Sequence, residues 1–159
     1  MLFPDLEWSK SGAILDRPVN GEYLMYFGDT HLWLARSPDL LHWEMDSEPV
    51  LSPREGLFDS RLVEPGPPPL WTDEGILLMY NAARWPDTRY AVGAAVFDAD
   101  DPRRVVKRLD APFLEPEETG EREGQVNQVV FVEGLVRHAG RWLLYYGAAD
   151  SKIFVATRD

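Results

Sequence analysis

Two acidic residues at the ends of short apolar runs are the side chains of this sequence best suited to chemistry. Glu64 lies directly before Pro65–Pro69, a stiff turn that would fix the direction of its carboxylate at little entropic cost. Asp150 ends the run Tyr145–Asp150, in which glycine and alanine allow a ligand to approach closely. Inverting cleavage of a glycosidic bond uses two carboxyl groups about 6.5–9.5 Å apart, one to protonate the leaving oxygen and one to activate water. We therefore predict Glu64 and Asp150 as catalytic residues, while the residues leave open an exposed turn glutamate and a hairpin-turn aspartate.

A motif that precedes Asp150 occurs three times along the chain. Each copy opens at a glycine, continues through four or five apolar residues to a tyrosine, and breaks at a small or polar residue. The copies are Gly21–Asp29, Gly75–Asn81 and Gly140–Gly147, and the short apolar runs that follow them are Leu32–Ala35, Ala91–Phe97 and Ile153–Ala156. Asp29 occupies the position that matches Asp150, so we predict that it binds substrate.

Paired apolar runs separated by turn residues predict antiparallel hairpins. Their continuous apolar character predicts that both faces of each hairpin are covered. Helical periodicity is weak: Asp39–Trp43 is the best helix candidate, and the acidic run Glu115–Glu123 predicts a solvated loop. The sequence thus predicts one all-β domain over residues 1–159, an incomplete β-propeller of about three blades.

Composition excludes several classes of function. The formal net charge of −11 disfavours nucleic acids and anionic membranes as partners, because both need a basic stripe. No run of eighteen apolar residues and no export signal is visible, and the chain has no cysteine, so we expect a cytoplasmic protein without disulfides. The three histidines lack ligand spacing, and no serine-hydrolase, P-loop or dinucleotide motif occurs, so we predict no metal and no cofactor.

Seven segments carry a family resemblance that covers nearly the whole chain from about Ser37. They are Leu40–Glu44, Glu64–Pro69, Gly75–Asn81, Asp98–Arg108, Pro112–Glu117, Glu121–Gly134 and Tyr145–Asp150. In this order they resemble the second half of the β-mannoside phosphorylases and related mannosidases of glycoside hydrolase family 130. The resemblance implies part of a five-bladed propeller that acts on β-mannoside oligosaccharides.

The same resemblance implies which side chains approach the sugar. Asp150 would hydrogen-bond a sugar hydroxyl in the central pocket, and Glu121 and Asn127 belong to a stretch that approaches this pocket in the family. Arg61 is a candidate to clamp an anion or a carboxylate, although a lone arginine is more often a surface ion-pair member.

Two positions depart from the phosphorylase pattern. A lysine before the Gly-Pro-Pro turn and a histidine after the Leu-Tyr run help those enzymes to hold phosphate, and this chain has Leu62 and Asn81 there. Losing them removes charge-assisted hydrogen bonds worth about 1.5–3 kcal/mol each. We therefore expect hydrolysis rather than phosphorolysis, and we predict Asn81 as a substrate-binding residue.

The family's general acid is an aspartate in a Glu-Asp-Pro-Arg segment that this chain lacks. Asp101–Arg103 is a lookalike that belongs to a later turn. The expected function is a glycosidase acting on β-mannoside oligosaccharides, and the alternative is an inactive carbohydrate-binding or assembly-only half-propeller. An unclosed ring leaves sheet faces and edges wet, so we expect copies to form a homo-oligomer or to pair with a missing N-terminal half.

Overall fold

The computed structural model describes residues 2–3, 6 and 9–158, and β-strands make up nearly all of its regular structure. In chain order the elements are β1 (Gly12–Ile14), β2 (Tyr23–Phe27), β3 (Trp33–Ser37), β4 (Glu44–Met45), β5 (Leu62–Pro65), β6 (Leu70–Thr72), β7 (Gly75–Ala83), β8 (Tyr90–Phe97), β9 (Val105–Arg108), α1 (Thr119–Arg122), β10 (Val130–His138), β11 (Arg141–Ala148) and β12 (Lys152–Arg158). The helix α1 has four residues, far fewer than a helix needs to cross a bilayer.

The strands form three antiparallel sheets, each of which follows the chain order. The first sheet has the order β1-β2-β3-β4, the second β5-β7-β8-β9 with β6 paired to β7, and the third β10-β11-β12. The opening strand of one sheet packs against the preceding sheet, since β5 contacts β2, and β10 contacts β7 and β8. Successive antiparallel sheets packed in this way are the blades of a propeller. The predicted all-β fold of about three blades is therefore confirmed.

Each of the three predicted hairpins is a pair of neighbouring strands in one blade. They are β2 with β3, β7 with β8, and β11 with β12. The prediction that both faces are covered is wrong for the last hairpin. Tyr145 and Val155 pair across the two strands and stay 41% and 46% exposed, because no further sheet of the described chain packs on that face.

The tyrosine that ends each repeat is buried in its blade. Tyr26, Tyr80 and Tyr146 are at most 7% exposed. The hydroxyl of Tyr26 donates to the carbonyl oxygen of Pro102 in the second blade at 2.9 Å, and the hydroxyl of Tyr80 donates to Asp59 at 2.9 Å. Each ring therefore fills the core while its polar tip has a partner, as a buried tyrosine requires.

Both helix-related predictions are wrong. Asp39–Trp43 is a bend, because the carboxylate of Asp39 and the hydroxyl of Ser37 accept the backbone N–H groups of the residues that follow, and Leu40 has a φ of +65°. The single helical turn lies instead at Thr119–Arg122, inside the acidic run that predicted a solvated loop. A capping box between Glu118 and Glu121 stabilises that turn.

The segment that leads into β5 is held by the buried carboxylate of Asp59. One of its oxygens accepts hydrogen bonds from Tyr80 at 2.9 Å, from Arg54 at 2.9 Å and from Arg108 at 2.6 Å. Burial raises the pKa of the Tyr80 phenol to about 12, so this hydroxyl remains a donor. Arg54 also donates to Asp110, whose side chain is 84% exposed. Asp59 thus ties the approach to β5 to strands β7 and β9.

Replacing Asp59 tests this anchor. Asp59→Ala should lower the free energy of unfolding by about 3–5 kcal/mol, because it leaves the largely buried guanidinium of Arg108 without a counter-ion and leaves Arg54 with only the exposed Asp110. Asp110→Ala is the matched control, since it removes an exposed partner of the same arginine and should change stability little. Urea unfolding followed by circular dichroism measures both, and equal losses would contradict the assignment.

Candidate functional site

The predicted acids lie at one end of the blades. Each sheet's first strand begins opposite the end of its second strand: Gly12 pairs with Phe27, Leu62 with Ala83, and Val130 with Ala148. The loops 28–32, 84–89 and 149–151 therefore share one end of the propeller with the segments that lead into β1, β5 and β10. Asp29 and Asp150 occupy equivalent loops of the first and third blades, as the repeat predicts.

Glu64 lies at this end on strand β5 and is 3% exposed. Its carboxylate contacts residues that precede the first blade. The hydroxyl of Ser11 donates to Oε2 at 3.2 Å, and Nζ of Lys10 lies 3.4 Å from the same oxygen. The same ammonium group lies 3.0 Å from Oδ2 of Asp29. One lysine therefore holds two carboxylates close together.

This arrangement changes the proton affinity of its members. Burial, and then the negative charge of Asp29, raises the pKa of Glu64 above its ordinary value, against the opposing effect of Lys10 and Ser11. Burial alone would lower the pKa of Lys10, but the two carboxylates outweigh it and raise that pKa. The site thus combines a carboxyl group that binds its proton more tightly than usual with an ammonium group that stays charged.

Tyr90 completes this cluster at the start of β8. Burial, and then the charges of Glu64 and Asp29, raises the pKa of its phenol. Its ring lies 6.1 Å from that of Phe131, which belongs to the third blade. The first two blades and the segment before them therefore supply the groups around Glu64, and Phe131 of the third blade contacts this cluster through Tyr90.

Backbone hydrogen bonds fix the loops around the cluster. The N–H of Val63 on β5 donates to the carbonyl oxygen of Thr30 at 3.2 Å, which places the Asp29 loop against the second blade. The N–H of Tyr90 donates to the carbonyl oxygen of Gln128 at 3.0 Å, which ties the approach to the third blade. Glycine is required at Gly28, because its φ is +123° and a Cβ there would lie 2.4 Å from the carbonyl oxygen of His31.

Asp150 is exposed at the tip of the β11–β12 hairpin. Ala149 and Asp150 have φ values of +47° and +50°, and the N–H of Ser151 donates to the carbonyl oxygen of Ala148 at 3.0 Å. These features define a type I′ turn, in which aspartate is favoured for its tolerance of positive φ. The structure therefore gives Asp150 a local reason to be aspartate, and its catalytic role stays a prediction.

Asn81 is fully buried between two blades. Its Oδ1 accepts the N–H of Val132 at 2.7 Å, and its Nδ2 donates to the carbonyl oxygen of the same residue at 3.0 Å. The side-chain amide therefore pairs with β10 as a neighbouring strand would. These contacts give no support to a role in binding substrate, because the polar atoms of Asn81 already join the second blade to the third.

Glu121 is also committed within the fold. Its carboxylate accepts the hydroxyl of Tyr146 at 2.7 Å and the N–H groups of Glu117 and Glu118 at 2.7 and 2.8 Å. Burial alone would raise its pKa, but these hydrogen bonds outweigh burial and lower it. The structure does not bring Glu121 to Glu64.

Asn127 and Arg61 occupy different surroundings at the site end. Asn127 is exposed and accepts the N–H of Gly124 at 3.1 Å, a contact within its own loop. Arg61 precedes β5, and its guanidinium carbon lies 4.9 Å from the ring centre of Trp85. The charge of Arg61 lowers the pKa of Tyr90, against the effect of Glu64 and Asp29.

The sequence-based reasoning missed Lys10, Ser11, Tyr90 and Trp85. Tyr90 had a usable signal, because it directly precedes the predicted run Ala91–Phe97 and is the first residue of the observed β8. Lys10 and Ser11 had none, since they precede the first repeat in a segment without pattern. Among the described residues no group of three His, Asp or Glu side chains is placed to hold a metal ion.

Comparison with known proteins shows that this chain is similar to mannoside-processing enzymes. The sequence model of a family described as beta-1,4-mannooligosaccharide phosphorylase matches residues 5–159. A 1,2-beta-oligomannan phosphorylase of Thermoanaerobacter sp. is 36% identical over 162 residues, which cover 95% of this chain and 54% of that protein.

Two solved structures are similar over almost the whole chain. A glycosyl hydrolase of Bacteroides ovatus is 42% identical, with a TM-score of 0.93, over 99% of this chain and 50% of that one. A structure from work on mannoside phosphorylases and on glycoside hydrolases that target β-1,2-mannosidic linkages in Candida mannan is 39% identical, with a TM-score of 0.93, over 99% and 50%. The chain thus spans about half the length of the proteins it matches.

Removing the shared ammonium group tests the electrostatics of the site. Lys10→Met should raise the pKa of Glu64 further, because the desolvated carboxylate loses its cation while Asp29 still repels it. Carbon-13 NMR of the glutamate carboxyl groups across a pH titration measures this directly.

Lys107→Met is the matched control, because it removes an exposed ammonium group that pairs with Glu74, and it should leave the Glu64 titration unchanged. Lys10→Arg should restore much of the wild-type value. An unaltered Glu64 titration in Lys10→Met would show that the contact has no electrostatic effect.

Proposed function

Because this chain belongs to glycoside hydrolase family 130, we propose that it hydrolyses β-mannosidic bonds of oligosaccharides, with Glu64 as the carboxylate that activates water. The observation that carries the proposal is the environment of Glu64. Glu64 lies on a sheet's first strand, is 3% exposed and beside a second carboxylate, and has a raised pKa, which is typical of residues at functional sites. A raised pKa makes its carboxylate a better general base than an exposed glutamate.

Hydrolysis is favoured over phosphorolysis by the charges around Glu64. A phosphate ion would approach Glu64 and Asp29, and the cation nearest to both, Lys10, is already paired with them. Leu62 carries no charge, and the amide of Asn81 is bound to the third blade. Water is neutral and is not repelled by the two carboxylates.

β-Mannosides are the proposed substrates because the names of the family and of similar proteins refer to them. The name of the Thermoanaerobacter relative refers to β-1,2-oligomannan, the description of one similar structure refers to β-1,2-mannosidic linkages, and that of the family refers to β-1,4-mannooligosaccharides. The shared chemistry is the β-mannosidic bond. Asp150 and Asp29, in equivalent loops, are the proposed partners of sugar hydroxyls.

A carbohydrate-binding protein without turnover is the second candidate. Asp101, which resembles the family's general acid in its local sequence, lies in the loop between β8 and β9 at the opposite end of the blade from Tyr90. It pairs with Arg103 at 3.1 Å in its own turn. Asp101 therefore has no path to a sugar at Glu64, so in the first candidate the proton for the leaving oxygen comes from a second copy of this chain or from the other half of a propeller.

Glu64→Gln separates the two candidates. We expect wild-type protein to release mannose from β-1,2- and β-1,4-mannooligosaccharides without added phosphate, and Glu64→Gln to lower the rate by about 10²–10⁴, the range for a lost general base. Glu74→Gln, at the opposite end of the same blade, should retain the wild-type rate. Mannose 1-phosphate formed only with phosphate would contradict hydrolysis, and sugar binding without any product would favour the second candidate.

Urea unfolding of the wild type and of Glu64→Gln at several pH values tests the raised pKa of Glu64. The same measurement shows whether the variant remains folded. A pKa raised by folding stabilises the protein below the unfolded value of about 4.3, and this contribution is lost as pH rises through the folded pKa. The free energy of unfolding of the wild type, minus that of Glu64→Gln, should therefore be larger below about pH 4 than at pH 7.

We also propose that the exposed face of the third blade is covered by a second copy of this chain in the purified protein. Val136, Tyr145, Ile153 and Val155 are between 41% and 81% exposed, and the register places Tyr145 opposite Val155. Among the described residues, no strand pairs with the outer edge of β12. An apolar face beside a free edge favours self-association.

Sedimentation velocity at several concentrations measures this association. We expect a dimer or larger species, and Val155→Lys should shift it towards monomer because it places a charge in the apolar face. Val106→Lys, on the exposed part of β9, is the control and should leave the distribution unchanged. A wild-type monomer at every concentration would contradict self-association and leave the other half of a propeller as the occupant of this face.

A further inference from the structure

Trp85 is 61% exposed on the loop between β7 and β8. This loop lies at the same end of the propeller as Glu64, because β8 begins at Tyr90. The second blade has a neighbouring blade of this chain on each side, so its loops are remote from the open face of the third blade. An exposed tryptophan does not gain the roughly 25 cal/mol per Å² that burial of apolar surface contributes. An exposed indole at the end of the blades that carries Glu64 is therefore a candidate contact for a ligand.

The loop holds the ring in place through polar contacts. Arg84 donates two hydrogen bonds to the carboxylate of Asp87, at 2.9 and 2.7 Å. The backbone N–H of Trp85 donates to the hydroxyl of Ser60 at 3.1 Å, and the guanidinium of Arg61 covers one side of the ring at 4.9 Å. A ring held in this way is preorganised, so a ligand need not order it on binding.

A cleft of about 650 Å³ opens beside the ring. Polar and apolar side chains share its lining, in which Glu55, Ser60, Arg84 and Asp87 lie next to Leu57, Phe58 and Trp85. This volume lies within the range of small-molecule sites, in which a few polar groups orient a ligand on an aromatic surface. Pyranose rings suit such a lining, since their C–H faces stack on aromatic rings while their hydroxyls bond to carboxylates and guanidinium groups. A protein partner would favour a wider apolar patch.

Arg61 connects this cleft to Glu64. It precedes Glu64 by three residues and contacts Trp85, and its charge lowers the pKa of the Tyr90 phenol, which the charge of Glu64 raises. We propose that Trp85 and the adjoining cleft form a second sugar subsite, which stacks a hexose of an oligosaccharide beyond the sugars held at Glu64. This inference rests on the proposed function and adds to it a preference for longer substrates.

Isothermal titration calorimetry with β-mannobiose and β-mannotetraose, in both β-1,2 and β-1,4 linkages, tests the subsite. Glu64→Gln is the parent, so that no product forms during the titration. The parent should bind the tetraose more tightly than the biose, and adding Trp85→Ala should weaken tetraose binding about fivefold to tenfold while leaving biose binding unchanged. Trp85→Phe should retain most of the tetraose affinity.

Leu41→Ala in the same parent is the control, because Leu41 is 72% exposed beyond the opposite end of the first blade and should not affect either sugar. If the parent binds neither sugar, the proposed function and the subsite both fall. If it binds both sugars and Trp85→Ala and Trp85→Phe leave their affinities unchanged, only the subsite falls. A change in sedimentation with unchanged sugar affinities would identify Trp85 as a protein contact and overturn the inference.

Discussion

The buried carboxylate of Asp59 is the contact on which the geometry of the site depends. It binds Tyr80 from the centre of the second blade, Arg108 from its outer strand, and Arg54 from the segment before β5. Residues 60–64 follow directly and carry the hydroxyl that holds the Trp85 backbone, the guanidinium on its ring, and Glu64. Because every partner donates to one carboxylate in a dry environment, the arrangement tolerates little displacement.

The surroundings of Glu64 destabilise its charged form. Two carboxylates approach one ammonium group, one of them is desolvated, and its pKa is raised as a result. An apolar residue at position 64 would remove that cost, so stability gives no reason for a glutamate there. Ionisable side chains whose position lowers the stability of the fold are typical of binding and catalytic sites. Glu121 shows the contrast, since its buried carboxylate has a full set of donors and a lowered pKa.

The second blade is joined to its two neighbours by different kinds of hydrogen bond. Tyr26 donates from the first blade to Pro102 of the second, whereas the Asn81 amide imitates a strand and bonds to Val132 of the third. Beyond the third blade, the face that carries Tyr145 and Val155 has no such joint within the described chain. The apolar character of that face is explained if another propeller blade, from a second copy or from another half, packs against it.

The amino-acid sequence by itself determined the hairpins, because apolar runs between glycine turns have few other ways to bury themselves. It also determined the shared position of Asp29 and Asp150, since each of them lies in the loop that follows its copy of the repeat. The chain order of motifs indicated the family and the propeller. The tyrosine of each repeat was visible as a pattern, although its hydroxyl partner was not.

The tertiary structure decided which polar side chains are free to act. Asn81 and Glu121 look in sequence like pocket residues, but packing between blades commits their polar atoms to Val132 and to Tyr146. Ser11 reaches Glu64 across fifty-three positions, and Lys10 beside it joins Glu64 to Asp29. Contacts of this kind arise where blades converge on an axis, and they leave no local period in the sequence. Loops distant along the chain meet only once the sheets have packed.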